Sequence, residues 1–281
     1  MIETISFTIP APALRLVVGG AAAAVVALAA RRAHALSRSG SVAAVACGAA
    51  SAAAGWAWAA LLVTYFVASS VVSAVGRGRK EARTAPIVEK GGERDAAQVA
   101  ANGGVFAAAA LATVVLPVSH TCYAVVSCAA AGALAASAAD TWGTEVGVLA
   151  GGEPRSVLTR APVRMGESGG VTWTGTLGGA AGAAFIAGVA ALLGLARGAP
   201  LAPLLAGMVG SLVDSMLGAT LQARRHCDAC GALTERAVHD CGAATRHARG
   251  VRWIDNDVVN FAATTAGFVV ALALGAWWLR G

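Results

Sequence analysis

The stretch GSLVDSMLGATLQA, residues 210–223, has the composition of a membrane-spanning helix except at Asp214. A carboxylate at bilayer depth costs roughly 2.5 kcal/mol or more, even on the scale most tolerant of charge. Such a residue therefore indicates a function: coordination of a metal, an ion pair with an arginine, or carriage of a proton. The structural alternative is a protonated aspartic acid that hydrogen-bonds to a neighbouring helix.

The composition of the whole chain agrees with a membrane location. The 281 residues are 57% hydrophobic and only 13% charged, and their mean hydropathy is +0.67. A soluble domain would carry about twice this fraction of charge. Because the apolar residues come in runs of about 17–25, long enough to cross a bilayer, we expect an all-α fold. The predicted architecture is a single integral membrane domain over residues 1–281, a polytopic bundle of about seven or eight transmembrane helices.

Hydropathy divides the chain into segments that we interpret as spans. A single helix over 40–76 would be about 55 Å long, too long for a core of about 30 Å, so we expect a break near Gly55. The first segment lacks a basic n-region and is followed directly by two arginines, which favours a span over a signal peptide. Gly178 and Gly182 form a GxxxG pattern, which predicts close helix packing. The predicted spans are 12–30, 40–54, 56–76, 101–117, 119–138, 174–195, 201–221 and 257–279.

Charge is distributed unevenly between the two sides of such a bundle. The segments 31–39, 77–100, 139–173 and 222–256 share one side and hold 18 of the 21 lysines and arginines. Positive residues mark the cytoplasmic side, so we expect the functional loops to face the cytoplasm from a bacterial-type inner (plasma) membrane. The net charge of +6 follows these loops, so no nucleic-acid partner is expected. One-sided polar chemistry favours an enzyme on a membrane platform over a transporter.

Two carboxylates stand where the fifth span is predicted to end, in AASAADTWGTEVG. Asp140 and Glu145 can share one Mg²⁺ if the chain turns at Gly143, because Mg²⁺ is commonly held by one or two carboxylates plus substrate phosphates. The alternative is an interfacial cap in which Trp142 anchors the helix at the membrane surface.

The loop that follows, PRSVLTRAPVRMGESGGVTWTG, is rich in glycine and arginine. Backbone N–H groups at a helix start bind anions, and glycine lets a phosphate come close. Arginine adds bidentate pairing to phosphate. The alternative is a flexible connector with ordinary positive-inside arginines. The candidate phosphate-binding residues here are Arg155, Arg164, Gly169, Gly170 and Thr172.

A second basic loop precedes the fourth span and contains Lys80, Arg83, Lys90 and Arg94. These residues either hold polyphosphate or face anionic lipid, which is worth about 1 kcal/mol for each basic residue. Asn102 stands at the mouth of the fourth span with no obvious packing role, and we expect it to contact a ligand.

The last span begins with a polar cluster in WIDNDVVN. A helix N-cap explains one aspartate or asparagine, but not four polar groups within six residues that enter a membrane. We therefore interpret the cluster as a further metal or phosphate site. Its members are Asp255, Asn256, Asp257 and Asn260.

The segment 222–256 also contains HCDACGALTERAVHDCG. Three thiolates and one imidazole, from Cys227, Cys230, His239 and Cys241, match a structural zinc site in ligand type. The second pair is closer in sequence than is usual in zinc fingers. A disulfide is not expected in the reducing cytoplasm.

Taken in order, the motifs GERDAAQVAANGG, ADTWGTEVG, DSMLGATLQ and NDVVN resemble the integral membrane family that includes the plant phytyl-phosphate kinase of vitamin E biosynthesis. The resemblance extends over residues 40–275. It implies transfer of a phosphoryl group from a nucleoside triphosphate, with CTP the expected donor, to an isoprenoid monophosphate to give the diphosphate.

The residues themselves fit this chemistry, since phosphoryl transfer needs charge neutralisation and in-line positioning more than covalent help. The chain lacks the P-loop pattern GxxxxGK[ST], so a soluble-type nucleotide fold is not expected. Two alternatives remain open: a cytidylyltransferase that forms a CDP-lipid, and a lipid or ion transporter that uses Asp214. The expected catalytic residues are Asp140, Glu145, Asp214 and Asp257, and Asp255 joins these four as a candidate Mg²⁺ ligand.

Overall fold

A computed structural model describes residues 11–84, 87 and 92–279 of the chain. Its helices are α1 (Ala11–Arg32), α2 (Arg38–Ala54), α3 (Trp56–Ala74), α4 (Arg77–Thr84), α5 (Ala96–Val115), α6 (His120–Ala150), α7 (Trp173–Leu192), α8 (Ala202–Thr220) and α9 (Asn256–Trp278). Its short strands are β1 (Arg155–Ser156), β2 (Gly170–Val171), β3 (Arg224–Cys227), β4 (Ala232–Thr234) and β5 (Arg246–Arg249). Lys90 lies outside the described residues.

Seven of the described helices are long and apolar enough to cross a membrane, which confirms the helical membrane bundle. The eighth long helix, α2, has 17 residues and lies antiparallel to α1: a Cβ on Gly48 would meet Ala23, and one on Gly20 would meet Ala49. The predicted break between α2 and α3 occurs at Gly55, which has a φ of 154°.

Helix α6 forms the centre of the bundle and contacts α3, α5, α7, α8 and α9. Its alanine-rich middle, residues 129–139, is fully buried, because small side chains let neighbouring backbones approach closely. Helix α7 packs on α6 in the same way, and a Cβ on Gly182 would lie 2.7 Å from the carbonyl oxygen of Ala138. This contact confirms the packing role predicted for the GxxxG pattern.

The end of α6 differs from the prediction. The helix continues to Ala150, well past the predicted end at residue 138, and it does not turn at Gly143. The apolar pattern ends early because the polar residues of this segment face a cavity inside the protein rather than lipid. Gly143 serves packing instead, since its Cβ would lie 3.2 Å from the carbonyl oxygen of Gly175.

The predicted grouping of the polar loops at one end of the bundle is present in the structure. Leu36 pairs with Arg94 across two loops, and Arg83 donates to the carbonyl oxygen of Val148 at 2.6 Å. At the opposite end, the start of α3 contacts the start of α6 through aromatic side chains. Strands β3, β4 and β5 form a small antiparallel sheet, in the order β4-β3-β5, within the loop between α8 and α9.

The tight contact of α6 and α7 gives a first prediction. Gly182→Ala should destabilise the protein by about 1–3 kcal/mol, because the new methyl group meets a backbone oxygen in a packed core. Gly188→Ala is the matched control on the same helix, since a Cβ there meets nothing within 4 Å. Thermal unfolding in detergent measures both variants, and an equal midpoint for the two would contradict the packing described.

Candidate functional site

A cavity of about 700 Å³ lies at the loop end of the bundle. Its volume falls within the range of about 300–1,000 Å³ that is usual for ligand pockets. Helices α3 to α9 and the glycine-rich loop between α6 and α7 all contribute to its wall. The predicted site residues that line it are Lys80, Arg94, Asn102, Asp140, Glu145, Gly169, Gly170, Thr172, Asp214, Asn256 and Asn260.

The centre of the cavity wall is a pair of carboxyl groups. Asp140 on α6 and Asp214 on α8 both line the cavity, and their carboxyl groups lie close enough to interact with each other. The Oδ2 atom of Asp214 is buried and has no hydrogen-bond partner among the described residues. Two neighbouring carboxyl groups repel each other when both are ionised. They therefore either share a proton, which leaves one of them neutral, or bind a cation. Carboxylate oxygens are the ligands that Mg²⁺ prefers, so the pair fits a Mg²⁺ ion.

Glu145 does not join this pair, although the sequence predicted that it would share a metal with Asp140. Because α6 stays helical, five residues turn Glu145 to another face, where it forms an ion pair with Lys80. The ammonium group of Lys80 also donates to the carbonyl oxygens of Val72 at 3.1 Å and Ser73 at 2.8 Å. An ammonium group has three donors, so these three contacts satisfy Lys80 and leave it no donor for phosphate. The two residues form a clamp between α3, α4 and α6.

Arg94 is better placed than Lys80 to bind a phosphate group. It lines the cavity, and its guanidinium donates to the hydroxyl groups of Ser70 at 3.2 Å and Ser73 at 3.4 Å. The guanidinium also lies 5.8 Å from the ring centre of Phe66, close enough for a cation–π contact. These contacts hold a planar cation with several donors at the cavity wall.

Asn102 is fixed by a chain of hydrogen bonds that crosses three helices. Its amide nitrogen donates to the carbonyl oxygen of Gln98 at 2.9 Å, and its amide oxygen accepts from the hydroxyl of Ser137 at 2.7 Å. The hydroxyl of Ser137 also hydrogen-bonds to that of Tyr65 at 2.6 Å. These hydrogen bonds fix the orientation of the amide, with its nitrogen toward Gln98 and its oxygen toward Ser137.

The glycine-rich loop reaches the cavity as predicted, at the N-terminus of α7. Thr172 caps this helix by accepting from the backbone N–H of Gly175 at 2.9 Å. Gly169 has a φ of 80°, and a Cβ there would lie 2.5 Å from that of Ala219 on α8. Only glycine fits this position, because the backbone is left-handed and α8 is close.

The structure does not bring the remaining predicted site residues to the described wall of the cavity. Asp255 is exposed and caps α9 through the backbone N–H of Val258 at 3.0 Å, and Asp257 is buried in the first turn of α9. Arg155 is exposed and lies 3.7 Å from Glu153. Arg164 lines a smaller neighbouring cavity of about 190 Å³. A helix start places successive residues on different faces, so Asn256 and Asn260 face the cavity while the two aspartates do not.

Several residues that line the cavity were not predicted from the sequence, and Glu235 is the most prominent of them. It follows strand β4, and its carboxylate accepts a hydrogen bond from Ser168 in the glycine-rich loop. Arg224 on β3 is buried and contacts Glu167 and the carbonyl oxygen of Ser168 in the same loop. Burial lowers the pKa of Arg224 below its usual value. The small sheet therefore supports the glycine-rich loop, and no periodicity or motif in the sequence signals this long-range contact.

The four predicted zinc ligands lie together at one edge of the sheet. One ligand atom from each of Cys227, Cys230, His239 and Cys241 lies within 4.8 Å of the others. The sulfur atoms of Cys227 and Cys241 are 3.6 Å apart, near the separation of about 3.8 Å expected for two thiolates on one tetrahedral zinc. The Nε2 atom of His239 is buried and has no hydrogen-bond partner among the described residues.

The thiols of this cluster lie close enough to shift one another's pKa. A hydrogen bond from the backbone of Ala243 and another from His239 lower the pKa of Cys241 to about 6. The hydrogen bond with Cys241 in turn raises the pKa of Cys230 to about 11. A bound cation would stabilise all the thiolates together, since only the thiolate form ligates a metal.

The fold and the cavity define a class of protein: a polytopic α-helical membrane protein with its polar side chains gathered at one end of the bundle. The chain belongs to the integral membrane protein family DUF92, whose sequence model matches residues 21–268.

Among curated proteins, the chain is similar to the two relatives that follow. The chain is 29% identical to Protein PGR of Arabidopsis thaliana over 276 residues, which cover 89% of this chain and 92% of the relative. It is 29% identical to the uncharacterized membrane protein MJ0933 of Methanocaldococcus jannaschii over 168 residues, which cover 60% of this chain and 66% of that protein. No solved structure matches the chain.

The clamp of Lys80 and Glu145 gives a second prediction. Lys80→Met should destabilise the protein by about 3 kcal/mol, because it leaves a carboxylate unpaired in a largely buried position. The double variant Lys80→Met/Glu145→Gln should recover part of this loss. Arg79→Met, at an exposed position of the same short helix, is the control. Thermal unfolding in detergent measures the three variants, and a Lys80→Met protein as stable as the Arg79→Met control would contradict the clamp.

Proposed function

We propose that the protein is a membrane-embedded, Mg²⁺-dependent prenyl-phosphate kinase. It transfers a phosphoryl group from a nucleoside triphosphate, with CTP as the preferred donor, to an isoprenoid monophosphate and yields the diphosphate. The observation that carries this proposal is the contact of Asp140 and Asp214 in a cavity at one end of an apolar bundle. The sequence motifs that resemble those of the family with the plant phytyl-phosphate kinase support the same reaction.

In the proposed reaction, a phosphate oxygen of the acceptor attacks the γ-phosphorus of the donor. The bond between the γ-phosphorus and its bridging oxygen breaks, and the nucleoside diphosphate leaves. Asp140 and Asp214 would hold Mg²⁺, which neutralises charge on the phosphate oxygens when bound. Arg94 and the N-terminal end of α7, which begins directly after Thr172, would supply further positive potential and orient the phosphates.

The position of the cavity also matches an acceptor that is a lipid. A lipid phosphate lies at the membrane surface, and the loop end of the bundle is where its headgroup would arrive. We place this end on the cytoplasmic side, as the positive-inside distribution of charge suggests. The single membrane domain of residues 1–281 then holds both substrates, and the loop 222–256 covers the site.

Transport is the less favoured alternative, because the cavity opens toward one end of the bundle and the opposite end is closed by packed side chains. The described residues that line the cavity belong to the loop end of the helices or to the middle of α8. The opposite end is packed with aromatic side chains, where Trp58 donates to the hydroxyl of Tyr123 at 2.8 Å and lies against Phe106 at 5.1 Å between ring centres.

We assign a structural Zn²⁺ to Cys227, Cys230, His239 and Cys241. The ligand types and spacing suit zinc in a closed, four-ligand site. The sheet that carries them also holds Arg224 and Glu235 against the glycine-rich loop. Zinc at this position would therefore fix the loop that lines the cavity without taking part in the reaction.

A product assay on purified protein tests the kinase. Geranylgeranyl and phytyl monophosphate are supplied with Mg²⁺ and each of CTP, ATP, GTP and UTP, and mass spectrometry follows the lipid and nucleotide products. Asp140→Asn and Asp214→Asn should each lower the rate roughly a hundredfold or more, because each removes charge that stabilises the transferring phosphate. Asp255→Asn is the control, since asparagine caps a helix as well as aspartate.

The products also separate the alternatives. A prenyl diphosphate with a matching amount of CDP is the expected result. A CDP-lipid with pyrophosphate would make the protein a cytidylyltransferase instead. Full activity of Asp214→Asn would remove Asp214 from the proposed metal site.

Metal analysis tests the zinc assignment. Purified protein should contain about one zinc per chain, and Cys241→Ser should lose it, because a tetrahedral structural site needs all four ligands. Cys122→Ser is the control, since Cys122 is an exposed cysteine outside the cluster. Protein that contains no zinc and tolerates Cys241→Ser without loss of stability would rule the assignment out.

A further inference from the structure

The outer face of α8 carries a row of exposed apolar side chains. Leu205, Val209, Leu212 and Met216 follow one another at intervals of a helical turn and are exposed, as expected for a face turned to lipid. Val209 and Leu212 also line the cavity. Asp214 lines the same cavity from the inner flank of the helix, so the cavity passes around α8 from the carboxyl pair to the outer surface.

The neighbouring helix α7 forms the other side of this passage. Thr176 of α7 is exposed and lines the cavity, so the opening lies between α7 and α8. Val209 is about 16 Å along the axis of α8 from its last residue, Thr220, at a rise of about 1.5 Å per residue. This distance is about half of a hydrocarbon core of about 30 Å. The opening therefore faces lipid chains rather than water.

We propose that the apolar chain of the acceptor leaves the cavity through this opening and lies along Val209 and Leu212. The inference rests on the proposed function for the identity of the acceptor. A cavity of about 700 Å³ is the size of a pocket for a single drug-sized ligand, and here it must already contain the phosphate groups of two substrates. The chain then extends outside the protein core, past the side chains at the opening.

Kinetics with acceptors of different length test the passage. Leu212→Trp should raise the KM for geranylgeranyl phosphate about tenfold, because the larger ring fills the opening. The KM for dimethylallyl phosphate, whose short chain stays inside the cavity, should change by less than about twofold. Leu177→Trp is the matched control on α7: Leu177 is 54% exposed against 50% for Leu212, and it does not line the cavity. Identical kinetics of the two variants, or an equal effect on both acceptors, would overturn the proposal.

Photochemical labelling gives a readout that does not depend on turnover. Geranylgeranyl phosphate with a diazirine at the end of its chain is bound to the full-length protein in lipid nanodiscs and irradiated, and mass spectrometry locates the label. Label on the α8 peptide with Val209 and Leu212, displaced by unlabelled geranylgeranyl phosphate, is expected. Displaceable label on α1, α3 or α5 would refute the passage. Label on α8 without any diphosphate product would refute the kinase and leave the passage standing.

Discussion

The contact between Asp140 and Asp214 constrains the rest of the structure. Two carboxyl groups inside an apolar bundle are costly unless a proton or a cation compensates them, and their helices must therefore bring other polar groups to the same place. Asn102, Arg94 and the start of α7 all surround this pair. The pair lies next to the alanine-rich centre of α6, which is fully buried. Lipid is excluded there because small residues let five helices approach one another.

The cavity depends as much on the loops as on the helices. Arg83 binds the last turn of α6, while Lys80 ties the end of α3 to Glu145. The sheet of the Cys/His loop supports the glycine-rich loop through Arg224. Each contact joins segments far apart in the sequence, so the site exists only when the whole loop end is assembled.

Much of the fold was predictable, because hydropathy reports directly which segments lie in lipid. The break at Gly55, the grouping of the polar loops and the packing role of Gly182 followed from the sequence. The true end of α6 did not, because hydropathy cannot distinguish a polar residue in water from one that faces an internal cavity. Asp140 and Glu145 therefore looked like partners across a turn, whereas helical geometry sends them to different neighbours.

For the candidate site, the sequence predicted which chemical groups are present better than it predicted which residues contact each other. The acids, the glycine-rich turn and the Cys/His cluster were visible as chemical groups in the chain. Their pairings were not, since the contact of Asp214 with Asp140 and that of Lys80 with Glu145 arise from the packing of separate helices. Glu235 was missed for the same reason: nothing near it in the sequence indicates that it reaches the cavity.

The same carboxyl pair bears on how the chain enters the membrane during synthesis. Helix α8, emerging alone, would expose Asp214 to lipid at a cost of roughly 2.5 kcal/mol or more. Its partner Asp140 lies on α6, which precedes α8 in the chain and leaves the ribosome first. The chain order thus provides a carboxyl group that can share a proton with Asp214 when α8 arrives, and a topology with these helices reversed in sequence would lack it at that step.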